Sequence, residues 1–383
     1  MWNVPVDYET LRVIWWLFLG VLLIGFAIMD GFDLGIGTIL HYVARTDLER
    51  RIVVNTIGPV WEGNQVWLIL GAGAIFAAFP PIYATAFSGF YFAMLLTLLA
   101  LILRPVGFKF RNLMPNAGWR RVWDGALFIG GFVPALIFGV AFGNLLQGVP
   151  FRIDNDLRIF YEGSFWGLLN PFAILCGLVS VAMLIMQGGA FLALKTEDNV
   201  RTRAQRASST ASALTLVLFA LAGVWLALGV DGYRFVSQIV TDGPSNPLAK
   251  QVTLEEGAWL TNYSDMPWTI LAPLLGAVGA ALAGMWVRKG AALKAFIASS
   301  CAILGIIATA GLSMFPFMMP SSLDPNASLT VWDSSSSQMT LFVMLCATLI
   351  FLPLIIGYTS WVFRVLRGKV TADYITANSK KMY

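Results

Sequence analysis

The chain has 383 residues, of which 58% are hydrophobic and only 12% charged, with a mean hydropathy of +0.74. A soluble domain carries about 25% charged residues, so half that density excludes a water-soluble globule, and the same numbers exclude a disordered chain and a disulfide scaffold. The formal charge of +4 does not indicate nucleic acid, because the basic residues fall between apolar runs and not in one patch.

Windows of about 20 apolar residues, the length that crosses a bilayer, predict an all-α polytopic membrane protein. A single membrane domain, 1–383, holds nine spans at roughly 12–40, 52–78, 82–104, 123–146, 165–194, 207–230, 268–287, 292–313 and 338–363. The first apolar run is longer than a signal core and lacks a basic flank, so it reads as an anchor that stays. Its last third carries Asp30, Asp33 and closely spaced glycines, a composition that predicts a bend or break. In the second, Pro59 must lose its bond to the Asn55 carbonyl and favours a kink.

Of the 25 lysines and arginines, 20 fall in alternate connections and five in the others. That bias predicts an amino terminus outside and a carboxyl terminus in the cytoplasm. The long outer connections, about 231–267 and 314–337, are rich in turn residues. Trp259, Trp268 and Trp332 within them suit an interfacial belt.

Cys176, Cys301 and Cys346 each lie inside an apolar run and read as small buried hydrophobes. The lone histidine, His41, reads as a polar group at the boundary. It cannot ligate a haem on both faces, and no metal site is expected in this chain.

Ionisable residues within spans need a reason to be there. Asp33 lies about 12 Å from the inner end of span one, and Glu62 about 15 Å into span two, at 1.5 Å per helical residue. The two are therefore expected as neighbours across one hairpin, with Asp30 on the face of Asp33. Asn55, Glu62 and Gln65 form a polar stripe, with Asn64 close by, and Arg104 is a candidate cation for the acids. One reading is a short proton-entry path open to the cytoplasm; the other is a set of hydrogen bonds pinning spans one to three. Asp124 reads as a helix amino-terminal cap, and Asn144 and Gln147 as bonded to neighbouring backbone.

At this point the motifs carry a resemblance. YETLRVIWWLFLGVLLIGFAIMDGFDLGIG, ERRIVVNTIGPVWEGNQVWLI, AFSGFYFAMLL, LRPVGF, GVAFGNLLQGVPF, FALAGVW, FPFMMPSS and NASLTVWDSSSSQMTL occur in order from about residue 7 onward. Together they resemble subunit II of cytochrome bd-type quinol oxidases over essentially the whole chain. The resemblance implies two four-helix bundles plus one helix, in a bacterial inner-membrane complex of aerobic respiration. That complex oxidises ubiquinol or menaquinol, reduces dioxygen to water with cytoplasmic protons, and so generates a proton-motive force. It implies haem b and haem d in the partner, subunit I, with no catalytic residue in this chain. Small single-span accessory subunits, membrane lipids and a structurally bound ubiquinone in this subunit follow from it too. Family proposals place a proton path at the subunit interface. Residue by residue, that path maps onto Asp33 in DGFD, with Asp30 beside it, and onto the acid of WEGNQVW. The latter is often aspartate in the family and is Glu62 here, one methylene longer. Asn55, Gln65 and Arg104 are candidate supports, and Trp67 is a candidate for lining an oxygen route, against the alternative of a packing aromatic.

Two other readings stand beside this one. A proton- or ion-coupled transporter also uses broken helices and mid-membrane acids, although no inverted repeat is evident. A purely structural subunit would use the same acids only to hold the complex together.

Overall fold

The computed structural model describes residues 4–378, so Lys380 and Lys381 of the basic carboxyl-terminal segment lie outside the described residues. Thirteen α-helices follow one another in the described chain. They are α1 (Tyr8–Val43), α2 (Asp47–Ile57), α3 (Trp61–Ala78), α4 (Pro80–Gly89), α5 (Tyr91–Phe110), α6 (Ala117–Gln147), α7 (Pro171–Lys195), α8 (Asp198–Gly229), α9 (Thr261–Asp265), α10 (Leu271–Arg288), α11 (Ala292–Met314), α12 (Gln338–Val365) and α13 (Ala372–Ala377). Eight of the helices are long and apolar enough to cross a membrane, which makes this an all-helical, multi-pass membrane protein. The 18-residue α3 is not among the eight, because its first turns carry Glu62, Asn64 and Gln65.

The first helix does not break where its glycines suggested. α1 runs unbroken for 36 residues, about 54 Å at 1.5 Å per residue. Its glycines serve close approach instead: a β-carbon on Gly35 would fall 1.9 Å from the Leu184 carbonyl oxygen of α7. On the facing helix α6, a β-carbon on Gly131 would fall 2.5 Å from the Leu34 oxygen. Missing side chains let the backbones touch, and dispersion between them replaces the hydrophobic drive that lipid cannot supply. α1 thus becomes the centre of the bundle, packed by α3, α6, α7 and α11. Helices α7, α8, α10 and α11 close a four-helix ring beside it, while α12 stands at the edge with Leu341 as its one buried residue.

Two expected spans are divided. The segment 52–78 breaks into α2 and α3 at the turn Gly58–Val60, because Pro59 can neither donate to the ladder nor sit under the preceding turn. The segment 82–104 becomes α4, opened by Pro80, and α5, with Phe90 at the joint.

The two ends of the bundle differ. At one, arginines and lysines tie the connections together: Arg203 to Glu49 and the Val43 carbonyl, Arg50 to Asp124, Arg201 to the Gly290 carbonyl and Lys369 to Glu197. α13 folds back there, with Ile375 fully buried and packed near α2. The other end is capped by three antiparallel hairpins: β1 (Phe151–Ile153) with β2 (Ile159–Tyr161), β3 (Asp231–Phe235) with β4 (Val252–Glu256), and β5 (Phe317–Met319) with β6 (Leu329–Thr330). Trp259 and Trp332 are not belt residues. Trp259 is 2% exposed, its indole nitrogen donating to the Leu146 carbonyl, and Trp332 packs with Phe315 in the cap's core. Only Trp268 of the three is exposed.

Candidate functional site

The acids of α1 meet the arginine of α5 deep in the bundle. Arg104 donates to both oxygens of Asp30, at 2.7 and 2.9 Å, and its guanidinium stands 3.6 Å from Asp33. All three side chains are buried. Asp30 and Asp33 share a face because they are three residues apart on one continuous helix. Arg104 reaches them because Gly130 of α6 leaves room: a β-carbon there would lie 2.8 Å from the arginine's own γ-carbon.

Asp33 takes its second contact from α3, but not from the residue expected. Asn64 Nδ2 donates to Asp33 Oδ2 at 2.9 Å. Glu62 instead is exposed and has no hydrogen bond or ion pair among the described residues. The reason is helical geometry: two residues advance about 200° around the axis, so one of the pair faces α1 and the other faces away. The polar stripe fails for the same reason as the span. Asn55 is buried on α2 and bonds back to the Arg51 carbonyl at 2.7 Å, and the turn at Pro59 resets the register before Gln65, which is half-buried. Trp67 is half-buried and its ring lies on Gly25 of α1, where a β-carbon would be 2.5 Å away.

Asp33 Oδ1 is buried without a hydrogen-bond partner among the described residues. The side chain lines a cavity of about 10 Å³, walled by Gly37, Val53, Val54, Ile57 and Arg104 among others. That is room for about one water molecule. Between this cavity and the basic end stands α2, with Val53, Val54 and Ile57 turned inward. Beneath them an ion network latches the helix: Asp124 receives Arg50 and Arg111, and Asp47 receives Arg111 and Arg120, at 2.6–2.8 Å.

Asp124 is accordingly no helix cap. α6 begins two turns earlier, behind the cap residue Asn116, and Asp124 is a buried ion-pair partner. Asn144 bonds the Val140 and Leu168 carbonyls, as its position suggested, whereas Gln147 Oε1 has no partner among the described residues. Two residues matter more than the sequence indicated. Asn64 is one, and the spacing from Glu62 was the available signal. Arg12 is the other: fully buried at the capped end, it donates to Ser335, Ser245 and the carbonyls of Thr241 and Gly243, and stacks on Tyr8.

The chain's own residues do not fit a haem. His41, the only histidine, stands exposed at the end of α1 with its ring edge-on to Phe128 at 6.2 Å. Cys176 and Cys301 are half-buried, and Cys346 faces out of the bundle and not into a core.

Eight helices long and apolar enough to span, around a buried Asp–Arg–Asp cluster, define a multi-pass helical membrane protein. Comparison with known proteins makes this specific. Residues 11–366 match the family model of cytochrome bd terminal oxidase subunit II, and the chain belongs to that family. It is 50% identical to cytochrome bd-I ubiquinol oxidase subunit 2 of Escherichia coli K12, over 99% of this chain and 100% of that one. The same extents hold for a probable cytochrome oxidase subunit 2 of Haemophilus influenzae at 48% identity. The cytochrome bd ubiquinol oxidase subunit 2 of Bacillus subtilis is 33% identical over 94% of this chain and 97% of its own. A chain of the bd oxidase from Geobacillus thermodenitrificans shares the fold, with a TM-score of 0.66 at 18% identity, covering 93% of this chain and 98% of that one.

Proposed function

We propose that this chain is the structural and proton-supplying subunit of a quinol oxidase. The complex oxidises ubiquinol, or menaquinol, and reduces dioxygen to water at haems b and d held by subunit I. The relatives are oxidase subunits, and the transporter reading draws no support from them. In this reading nine helices cross a bacterial inner membrane, α3 being the ninth. The amino terminus is periplasmic, and the basic end, where the arginines and lysines collect, is cytoplasmic. Small accessory subunits and lipids cover the exposed apolar faces, α12 above all, and family membership supports a structural quinone held in this subunit.

One observation carries the proton assignment. Two buried carboxylates, Asp30 and Asp33, share one guanidinium. A buried cluster with one excess negative charge reaches neutrality by holding a proton. Arg104 is committed to Asp30 through two bonds, so Asp33, with Oδ1 unpartnered and the side chain on the cavity, takes and releases it. Glu62 continues the relay on the opposite face of α3. A carboxylate facing lipid at the bilayer centre costs about 2.5–3.5 kcal/mol, which supports placing subunit I over that face. Asn64 positions Asp33, Asn55 and Gln65 flank the relay, and α2 seals it from bulk water between proton transfers. Trp67 packs α3 on α1, beside the proposed oxygen route.

The test is Glu62→Gln in the co-expressed, purified complex, with the reduced-minus-oxidised haem spectrum and quinol-driven oxygen consumption read from one sample. Normal haem with turnover down at least tenfold supports the relay. Lost haem with lost complex assigns Glu62 to assembly, and full turnover removes it from the path.

A further inference from the structure

We propose that the corner joining α5 to α6 binds the phosphate of an anionic phospholipid. Three buried donors in this short segment have no acceptor among the described residues: Asn112 Nδ2, Arg120 Nε and Trp123 Nε1. They are three of seven such atoms among the described residues, and all three are N–H groups, so an acceptor is what the corner lacks. A buried donor without a partner costs about 1–3 kcal/mol, and water or an anion must meet it.

The contacts hold these groups near one another. Arg111 donates to Asn112 Oδ1 at 3.0 Å and to Asp47, which also receives Arg120, both at 2.8 Å. Trp123 packs between Phe110 and Trp119, with ring centres 5.8 and 5.6 Å away, and Trp119 donates to the Phe110 carbonyl. Arg120 and Trp123 are three apart on α6 and so lie on one face.

Charge and polarity select the ligand. Arg50, Lys109, Arg111, Arg120 and Arg121 surround the corner against two carboxylates, Asp47 and Asp124. Lys109 and Arg121 are exposed and have no carboxylate partner among the described residues. Beside them Leu113 and Val122 are each 67% exposed, and Phe110 and Met114 nearly half exposed. A free phosphate would use the cations and leave this apolar rim bare. A phospholipid uses both, with its acyl chain along Val122 and its phosphate at the N–H groups. Paired tryptophans at the end of a span are where a headgroup lies.

The probe is phosphatidylglycerol, with zwitterionic phosphatidylcholine as control, bound to the purified two-subunit complex and counted by native mass spectrometry. The triple variant Lys109→Gln, Arg121→Gln, Trp123→Phe removes two charges and one donor while keeping a ring at position 123. Its haem spectrum and quinol oxidation in detergent check that it folds. Removing two surface charges weakens phosphatidylglycerol retention about thirtyfold, with phosphatidylcholine unaffected. The single variant Asn112→Leu, uncharged and similar in size, lowers retention in the same direction. Unchanged retention in the triple variant overturns the proposal, as does equal retention of phosphatidylcholine by the parent complex. Displacement by millimolar inorganic phosphate would make this a free-anion site, and finding the corner covered by subunit I would rule out a lipid there.

Discussion

Arg104 and Asp30 meet in a two-bond pair, at 2.7 and 2.9 Å, that is closed to solvent on every side. The pair joins α5 to α1, and both hydrogen bonds of the shared cation go to one of its two acids. The proposed function divides structure and proton chemistry between these neighbouring aspartates, with Asp30 as the anchor and Asp33, whose Oδ1 has no hydrogen-bond partner among the described residues, as the exchanging acid. Removing one partner of a buried pair costs about 3–5 kcal/mol. Asp30→Asn is expected to lower the melting temperature of the complex and its yield together. Thermal unfolding of purified Asp30→Asn beside Asp33→Asn checks this, because the second change leaves the pair intact and should melt near the parent.

Gly35 is expected to tolerate nothing larger. A β-carbon 1.9 Å from the Leu184 oxygen meets backbone, which has no rotamer to escape into. Gly35→Ala should separate α1 from α7 and cost upwards of about 2 kcal/mol, in the range of overpacked cores. A β-carbon on Gly223 of α8 would meet nothing within 4 Å, so Gly223→Ala is the matched control. Membrane-inserted yield of the two variants distinguishes them.

The basic end gives a pH dependence. Arg203 holds the Glu49 carboxyl down at about 2, from an ordinary 4.5, helped by the backbone N–H groups of Arg45 and Thr46 and opposed by partial burial. A carboxylate lowered in the folded state contributes stability that is complete above its unfolded value and lost as pH falls through its folded one. The pair therefore supports α2 fully above about pH 5 and progressively less toward about pH 2. Glu49→Gln should destabilise the complex by about 1.5–3 kcal/mol at neutral pH, the size of a charged hydrogen bond. Melting curves of parent and variant should converge as pH drops below about 4.

Asn64 is expected to matter as Asp33's positioner. Asn64→Leu removes the 2.9 Å donor without adding charge, and costs about 1–3 kcal/mol for the acceptor left unpaired. Turnover should fall with haem content kept, and Asn64→Gln, which retains a carboxamide on a longer stem, should recover part of it. Equal turnover in all three would detach Asn64 from the relay.

What the sequence made legible follows from what each signal measures. Hydropathy averages over a whole helix, so most long helices announced themselves, and Pro59 marked its own break because the missing N–H is local. Helix faces beyond that break were not legible. The turn at Gly58–Val60 resets the angular register, and neither composition nor spacing says by how much, so Glu62 was paired with Asp33 where Asn64 stands. The aspartates and the arginine were visible as misplaced charges, but which acid the arginine holds depends on how closely α5 approaches α1, and so on Gly130 and Gly131 of α6. Asp124 looked like a cap because the hydrophobic run begins beside it, although the helix itself begins at Ala117. Trp259 and Trp332 looked interfacial because loops generally are, and Trp259 is buried by Leu146, Tyr233 and Phe317, which come from separate connections far apart in sequence.

The central claim is that Asp33 carries protons while Asp30 carries structure. The most direct measurement is on Asp33→Asn, purified with subunit I, comparing haem content and quinol-driven oxygen consumption in one sample. Asparagine keeps the shape and the bond from Asn64 but cannot release a proton at that oxygen. Full haem with oxygen consumption down about a hundredfold or more, the low end of what a positioned acid–base group contributes, is the predicted result. Full haem with full consumption would contradict the account and leave the Asp30–Arg104–Asp33 cluster as a fastening between α1 and α5.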